Sequence, residues 1–139
     1  MTLEQGIPIL VAEDSKDNRL LLNAYCRGTE YQPTFAENGK EAIDAYLSGS
    51  FEIVIMDVHM PVLDGLSATR LIRGLETDKA RKRTPILALT ASALPEDVTL
   101  AREAGCDLHV PKPVTKKSFL TALKTWTPAP DLALAQRQA

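Results

Sequence analysis

The chain alternates between short apolar runs and longer stretches of mixed polarity. The runs are "IPILVA" (7–12), "QPTFAE" (32–37), "FEIVIM" (51–56), "PILALT" (85–90) and "DLHVP" (107–111), each of a length that suits a β-strand. The first, third and fourth are apolar at successive positions, which predicts burial on both faces and hence a parallel sheet between two helix layers. The second and fifth are more polar and predict less buried strands. Between the runs the spacing becomes helical. Asn18, Leu21, Leu22 and Tyr25 recur at i, i+3, i+4 and i+7 and predict the core-facing stripe of a first helix, leaving Leu20 and Ala24 off it. Ala42, Ala45 and Tyr46 repeat the spacing in a second helix, as do Leu66, Thr69, Arg70 and Ile72 in a third. A fourth helix is expected to start near Pro95, with Glu96 and Asp97 in its first turn, and to stop at Gly105. The fifth runs from about Thr115, an N-cap residue, to Trp126. The pattern is βα repeated five times, with no internal sequence repeat.

A parallel sheet gathers the carboxyl ends of its strands along one edge, and ligands bind there in the crevice where strand order reverses. What each strand ends in therefore matters. Strand one ends in Glu13-Asp14, strand three in Asp57, strand four in Thr90-Ala91, and strand five leads to Lys112-Pro113. Taken alone, Asp57 reads as a turn residue capping its loop, because Asp favours turns. Its company weakens that reading. Clustered carboxylates in a partly dry crevice repel one another, so at least one pKa rises unless a cation compensates. A hard divalent ion such as Mg²⁺ meets that need, since it prefers oxygen ligands, takes one or two carboxylates and keeps waters that phosphate oxygens can displace. Lys112 and Thr90 suit a phosphoryl group better than a metal. The ammonium offsets phosphoryl charge, the hydroxyl donates a hydrogen bond to one of its oxygens, and small Ala91 leaves room beside the strand end. A carboxylate nucleophile, a metal and two phosphate donors together describe formation of an aspartyl phosphate.

Composition narrows the setting. The chain has 139 residues, is 45% hydrophobic and 24% charged, and carries a net charge of -2, as one soluble globular domain would. That charge gives no general attraction to nucleic acid or to an anionic membrane. Cys26, Cys106, His59 and His109 are too few and too scattered for a zinc signature, and a reducing, cytoplasmic setting is expected. The opening "MTLEQGIPIL" has acidic Glu4 where a signal peptide needs a basic start, and no apolar run approaches bilayer length, so membrane insertion is not expected. Residues 1–6 read as an N-terminal extension and 7–126 as the domain. Residues 127–139, "TPAPDLALAQRQA", read as a tail or linker stub, or else as a short amphipathic extension.

The ordered set "VAED", "IVIMDVHMPVLDG", "ALTAS" and "VPKP" resembles the receiver domain of two-component signalling, the response-regulator family, over residues 7 to about 126. The resemblance implies the flavodoxin-like (βα)5 α/β fold, a doubly wound five-stranded parallel sheet of order 2-1-3-4-5. It implies that Asp57 takes a phosphoryl group from a phosphohistidine in a Mg²⁺-dependent reaction and that the domain then switches conformation. Such a domain is a signalling phosphoacceptor that catalyses its own phosphorylation and dephosphorylation. Asp14, Asp57 and the backbone carbonyl of His59 are then the Mg²⁺ ligands, with Glu13 reaching the ion mainly through water. Thr90 and Lys112 sense the phosphate beside Ala91, and the Lys112-Pro113 bond is cis. His59 and Ser92 occupy positions that in this family help set how fast the phosphate is lost. Asp64-Gly65 is expected to form the turn into helix three, Met60-Pro61 to shape the same loop, and Tyr25, Tyr46 and Trp126 to pack. The partner implied is a histidine kinase or histidine phosphotransfer domain, without direct nucleic-acid binding. The phrases "NGKEAIDAY" and "PILALTAS" are similar to receivers attached to hybrid histidine kinases, some of them membrane-associated. Too few residues follow Trp126 for an output domain, so the expectation is a single-domain regulator or a receiver segment of a longer chain.

One position departs from the family pattern. Receivers often carry Tyr or Phe three residues before the lysine, as a ring that swings inward when the threonine moves, and this chain has His109. Two readings stand: tolerated variation, or a pH-sensitive switch, since imidazole titrates near neutrality. Among rivals to the whole reading, an FMN-binding flavodoxin-like protein would need a phosphate loop free of anions and aromatic rings for the flavin, whereas "EDSKDN" is acidic and aromatics make up 5% of the chain. A phosphatase of the haloacid dehalogenase type would carry a second acid two residues after the nucleophile, where this chain has His59. A degenerate receiver serving only as an interaction module would lack part of the site set that is complete here.

Overall fold

Successive side chains on a strand point to opposite faces, so a strand that is apolar at every position feeds two cores at once. The computed structural model, which describes residues 6–92 and 94–127, is built on this principle. Among the described residues, strands β1 (Ile7–Ala12), β2 (Tyr31–Ala36), β3 (Ile53–Asp57), β4 (Ile86–Thr90) and β5 (Leu108–Pro111) alternate with helices α1 (Lys16–Cys26), α2 (Gly39–Ser48), α3 (Gly65–Asp78), α4 (Pro95–Ala104) and α5 (Lys116–Trp126). All strand pairs are parallel, in the order β2-β1-β3-β4-β5, the flavodoxin-like order expected. Leu10, Val54, Met56, Ile86 and Ala88 face one helix layer and pack with Ala42, Tyr46, Ala68, Ile72 and Ala101. Ile9, Val11, Ile53, Ile55, Leu87 and Leu89 face the other and pack with Leu22, Cys26, Phe119 and Leu123. Full burial stabilises by about 1.5–3 kcal/mol for each large aliphatic side chain. The edge strands β2 and β5 are only partly buried, as their polarity predicts.

Local caps set where the helices begin. Ser15, Asn38, Asp64 and Thr115 each accept a hydrogen bond from a backbone N–H in the first turn of α1, α2, α3 and α5, and Thr115 forms a reciprocal capping box with Ser118. Helix α4 has no side-chain cap; Pro95 opens it, with Glu96 and Asp97 in the first turn. Gly105 closes it at a φ of 114°, a conformation that a side chain would strain.

The core-facing stripes are narrower than the spacing predicts. Leu21 is 46% exposed, against the expectation that it faces the core, and Arg70 is exposed as well. A helix lying on one face of an open sheet is covered along a single stripe, here Leu22 and Cys26 in α1 and Ala68, Thr69, Ile72 and Glu76 in α3. Leu20 and Ala24 are exposed, as expected. Tyr25 and Tyr46 pack, their hydroxyls donating to the Val114 carbonyl (2.9 Å) and to Glu76 Oε2 (3.3 Å), and Trp126 lies against the second core. β2 starts one residue before its predicted limit and β3 two residues after. The predicted extension and tail lie outside the described residues, except for Gly6 and Thr127.

Two close contacts position the strand ends. At the amino edge of the sheet, the largely buried Arg73 guanidinium on α3 donates to Glu76 Oε1 (2.8 Å), Asp107 Oδ2 (2.8 Å) and the carbonyls of Thr84 (2.8 Å) and Gly105 (3.0 Å). Asp107 Oδ2 also accepts from the Ile86 amide (2.9 Å), so α3 is tied to the starts of both β4 and β5. At the opposite edge, Gly65 begins α3 against the end of β3, its amide donating to the Val58 carbonyl (2.9 Å). A Cβ at residue 65 would lie 2.0 Å from the Asp57 carbonyl oxygen, so only glycine permits this approach. Gly65→Ala is therefore expected to cost about 1–3 kcal/mol of stability in urea unfolding, and an unchanged midpoint would contradict the contact.

Candidate functional site

The carboxyl ends of β1, β3, β4 and β5 bring together the residues predicted from sequence. Asp57 ends β3 and is 2% exposed; Glu13, just past β1, is 1% exposed; Asp14 beside it faces solvent. One carboxylate oxygen from each of Glu13, Asp14 and Asp57 lies within 4.8 Å of the others. Lys112, just past β5, reaches between them, its Nζ 3.1 Å from Asp57 Oδ1 and 3.4 Å from Glu13 Oε1. The backbone places this lysine: its amide donates to the Thr90 carbonyl (2.8 Å), and the following Lys112-Pro113 bond is cis, as expected. Thr90 is buried at the end of β4, with Ala91 exposed next to it. The His59 amide lies 3.3 Å from Asp57 Oδ1, which puts that segment of backbone at the site while its side chain is exposed.

Charge is unbalanced here. Three carboxylates face one ammonium, and burial first, then the neighbouring Glu13 charge, push the Asp57 carboxyl up from 3.8 to about 6 against the opposing pull of Lys112. Burial alone would lower the Lys112 pKa, but Asp57 and Glu13 outweigh it and hold the ammonium above its ordinary value. Glu13 Oε2 accepts from the Ser15 amide (3.1 Å) and Asn18 Nδ2 (3.4 Å), whereas its buried Oε1 makes no hydrogen bond and faces the shared Lys112 ammonium at 3.4 Å. A buried carboxylate oxygen that has only a share of one ammonium, beside two further carboxylates, is an oxygen-rich setting that a hard divalent cation fits.

Several supporting residues carried no chemical prediction from sequence. Arg19 Nη1 donates to the carbonyls of Glu13 (2.8 Å) and Asp14 (3.0 Å), fixing the β1–α1 loop that presents both acids. Asn18 sits on the predicted inner stripe of α1, but its amide serves Glu13 as well as the helix packing. An amide on an apolar stripe one turn after an acidic pair was the available signal. Asp64 caps α3 through the Ser67 amide (2.9 Å), the turn role expected of it. Met60 is buried and Pro61 exposed in the same loop, where Val62 takes a φ of 69°. His109 is not a free ring: its Nε2 lies 3.0 Å from the Ser92 carbonyl, a contact that needs an N–H donor.

The sequence profile of the response regulator receiver domain matches residues 9–124. Hybrid signal transduction histidine kinase G of Dictyostelium discoideum is 36% identical over 130 residues, covering 92% of this chain and 4% of that kinase. The oxidative stress response two-component system protein SSK1 of Candida albicans is 32% identical, covering 87% of this chain and 22% of that protein. The chain thus spans only a small part of these curated relatives. Among solved structures, the receiver domain of sensor histidine kinase PA1611 from Pseudomonas aeruginosa PAO1, with a magnesium ion coordinated in its active-site cleft, is 35% identical with a TM-score of 0.78, over 87% of this chain and 97% of that one. A chain in the Saccharomyces cerevisiae co-crystal of the histidine phosphotransfer signaling protein Ypd1 with the receiver domain of Ssk1 is 29% identical with a TM-score of 0.82, over 88% and 89%. Among the described residues, no helix is long and apolar enough to cross a membrane.

The raised Asp57 carboxyl has a consequence for stability. Between 3.8 and about 6 the folded chain keeps a proton that the unfolded chain has released, so this group favours folding at low pH and loses that contribution as pH rises through about 6. In metal-free buffer, Asp57→Asn should raise the melting temperature by about 5 °C or more at pH values above 6. The gain should shrink as pH falls toward 3.8. A variant no more stable than the unaltered chain in alkaline buffer would show that the Asp57 charge is fully compensated.

Proposed function

The chain belongs to the response regulator receiver family, and on that premise we propose that Asp57 accepts a phosphoryl group from the phosphohistidine of a histidine kinase or phosphotransfer domain, with Mg²⁺ in the acidic crevice. The observation that carries this reading is the buried Asp57 carboxylate at a strand end, 3.1 Å from the Lys112 ammonium and clustered with Glu13 and Asp14. Asp14, Asp57 and the His59 carbonyl would hold the metal, with Glu13 behind them through water. When bound, Mg²⁺ offsets the carboxylate charge and the charge on the transferring phosphoryl oxygens. An Asp57 oxygen forms the new bond to phosphorus as the phosphorus–nitrogen bond of the donor breaks. Lys112 then turns from the carboxylate to a phosphoryl oxygen, and Thr90 donates its hydroxyl proton to another beside Ala91. The added charge of roughly -1.5 to -2 supplies the force for rearrangement around β4, α4 and β5.

On this reading the domain, residues 7–126, catalyses its own loading and the later hydrolysis of the aspartyl phosphate, and works in the cytoplasm where kinases charge histidine from ATP. Its partner docks over α1. Leu20, 59% exposed, Leu21, 46% exposed, and Ala24 present apolar surface there, and Leu21 borders a cleft that also includes Glu13 and Lys112. A phosphotransfer helix bundle laid on that face would bring its histidine to the crevice.

Incubation with acetyl phosphate and Mg²⁺ should load one acid-labile phosphate, which intact-mass measurement would detect. Asp57→Asn should abolish it, and stoichiometric phosphate on that variant would mean that another residue is the acceptor. Leu20→Glu should slow transfer from a phosphohistidine partner about tenfold, roughly the effect of losing one interface contact of 1.4 kcal/mol, while acetyl phosphate labelling is unaffected. Equal loss with both donors would place the damage in the fold or the site instead of the docking face.

A further inference from the structure

Both hydrogen-bonding roles of the Thr90 hydroxyl are taken up by one residue. Thr90 Oγ1 donates to the Ser92 carbonyl (3.2 Å) and accepts from the Ser92 amide (3.1 Å). A hydroxyl has a single proton, so Thr90 can reach a phosphoryl oxygen on Asp57 only by withdrawing the bond to Ser92. The ease of that exchange depends on how firmly Ser92 is held and on what else satisfies its carbonyl. His109 Nε2, 3.0 Å away on β5, remains as a partner for the carbonyl when Thr90 turns. The Ser92 side chain is held from the other direction. Its Oγ donates to Asp97 Oδ2 and lies 3.3 Å from the Leu94 amide, which ties Ser92 to the first turn of α4.

We propose that Asp97 is a positioning residue for phosphoryl sensing: by holding the Ser92 hydroxyl at the start of α4, it keeps Ser92 on Thr90 and makes α4 move when Thr90 moves. The inference rests on the phosphoacceptor reading of Asp57. Withdrawal of Thr90 loosens one bond of a chain that runs Thr90, Ser92, Asp97, so the displacement of a buried hydroxyl is passed to a helix whose outer face is exposed. The same chain resists the switch. Asp97 also sits where the helix dipole favours an anion, and the two contributions can be separated. Asn at position 97 keeps an oxygen acceptor and loses the charge, whereas Ala loses both.

The test is a titration of the full chain with beryllofluoride in excess Mg²⁺, followed by amide chemical shifts at Thr90 and along α4. Asp97→Ala should bind beryllofluoride about threefold to tenfold more tightly, the effect of removing one hydrogen bond that opposes the exchange, and its α4 amides should shift less on binding. Asp97→Asn should behave like the unaltered chain. Ser92→Ala removes the same bond from the other side and should reproduce Asp97→Ala; it also carries the test if Asp97→Ala does not fold. Unchanged affinity in the variants lacking the bond, or an Asn variant equal to the Ala variant, overturns the proposal, the second by assigning the effect to helix charge. Failure of the unaltered chain to bind beryllofluoride at all is a separate result and overturns the phosphoacceptor reading itself.

Discussion

Three carboxylates gathered around one ammonium, in a crevice that water only partly reaches, are the constraint on which the functional account depends. With Lys112 as the close cation, the cluster of Glu13, Asp14 and Asp57 retains two negative charges once all three carboxyls are ionised. Burial first, and then the Glu13 charge, push the Asp57 carboxyl up to about 6, and Glu13 Oε1 shares the same Lys112 ammonium without a hydrogen bond of its own. On the proposed reading a divalent cation would restore neutrality, and an arriving phosphoryl group would give Lys112 and Thr90 a new anion to hold. The same imbalance would then make the resting domain responsive.

Holding like charges together requires a rigid frame, and the sheet supplies it. Side chains from β1, β3 and β4 alternate into two cores, so the strand ends that carry the acids have little freedom to separate. Gly65 lets α3 press directly on the Asp57 carbonyl, and Gly39 does likewise for α2, where a Cβ would lie 2.3 Å from the Leu63 carbonyl oxygen. Arg19 holds the carbonyls of the β1–α1 loop, and Arg73 anchors β4 and β5 at the far edge. The loop after β4 is held differently. Among the described residues there, hydrogen bonds link Thr90, Ser92, Asp97 and His109, and such bonds can be exchanged one at a time.

Much of this was legible in the sequence because parallel strands put their ends on one edge wherever they fall in the chain. Unbroken apolar runs identified the buried strands, and the residues at the ends of four of the five runs identified the candidate site, from Glu13 to Lys112. Helix faces were read less well. Spacing alone placed Leu21 and Arg70 inside, but coverage depends on how wide a stripe the sheet masks, which no local pattern records. The roles of Arg19 and Asn18 stayed hidden because they depend on where a loop carbonyl and a carboxylate oxygen lie in space. The His109 bond to the Ser92 carbonyl was hidden for the same reason, because it comes from the path of a loop 17 residues away.

A crystal structure of the chain with Mg²⁺ and beryllofluoride would show which carboxylate is the acceptor and where the cation sits. The account predicts the metal about 2.0–2.1 Å from oxygens of Asp14 and Asp57, beryllium joined to an Asp57 carboxylate oxygen, and Lys112 and Thr90 turned onto the fluorides. Beryllium on Glu13 or Asp14, or a metal held away from Asp57, would contradict it.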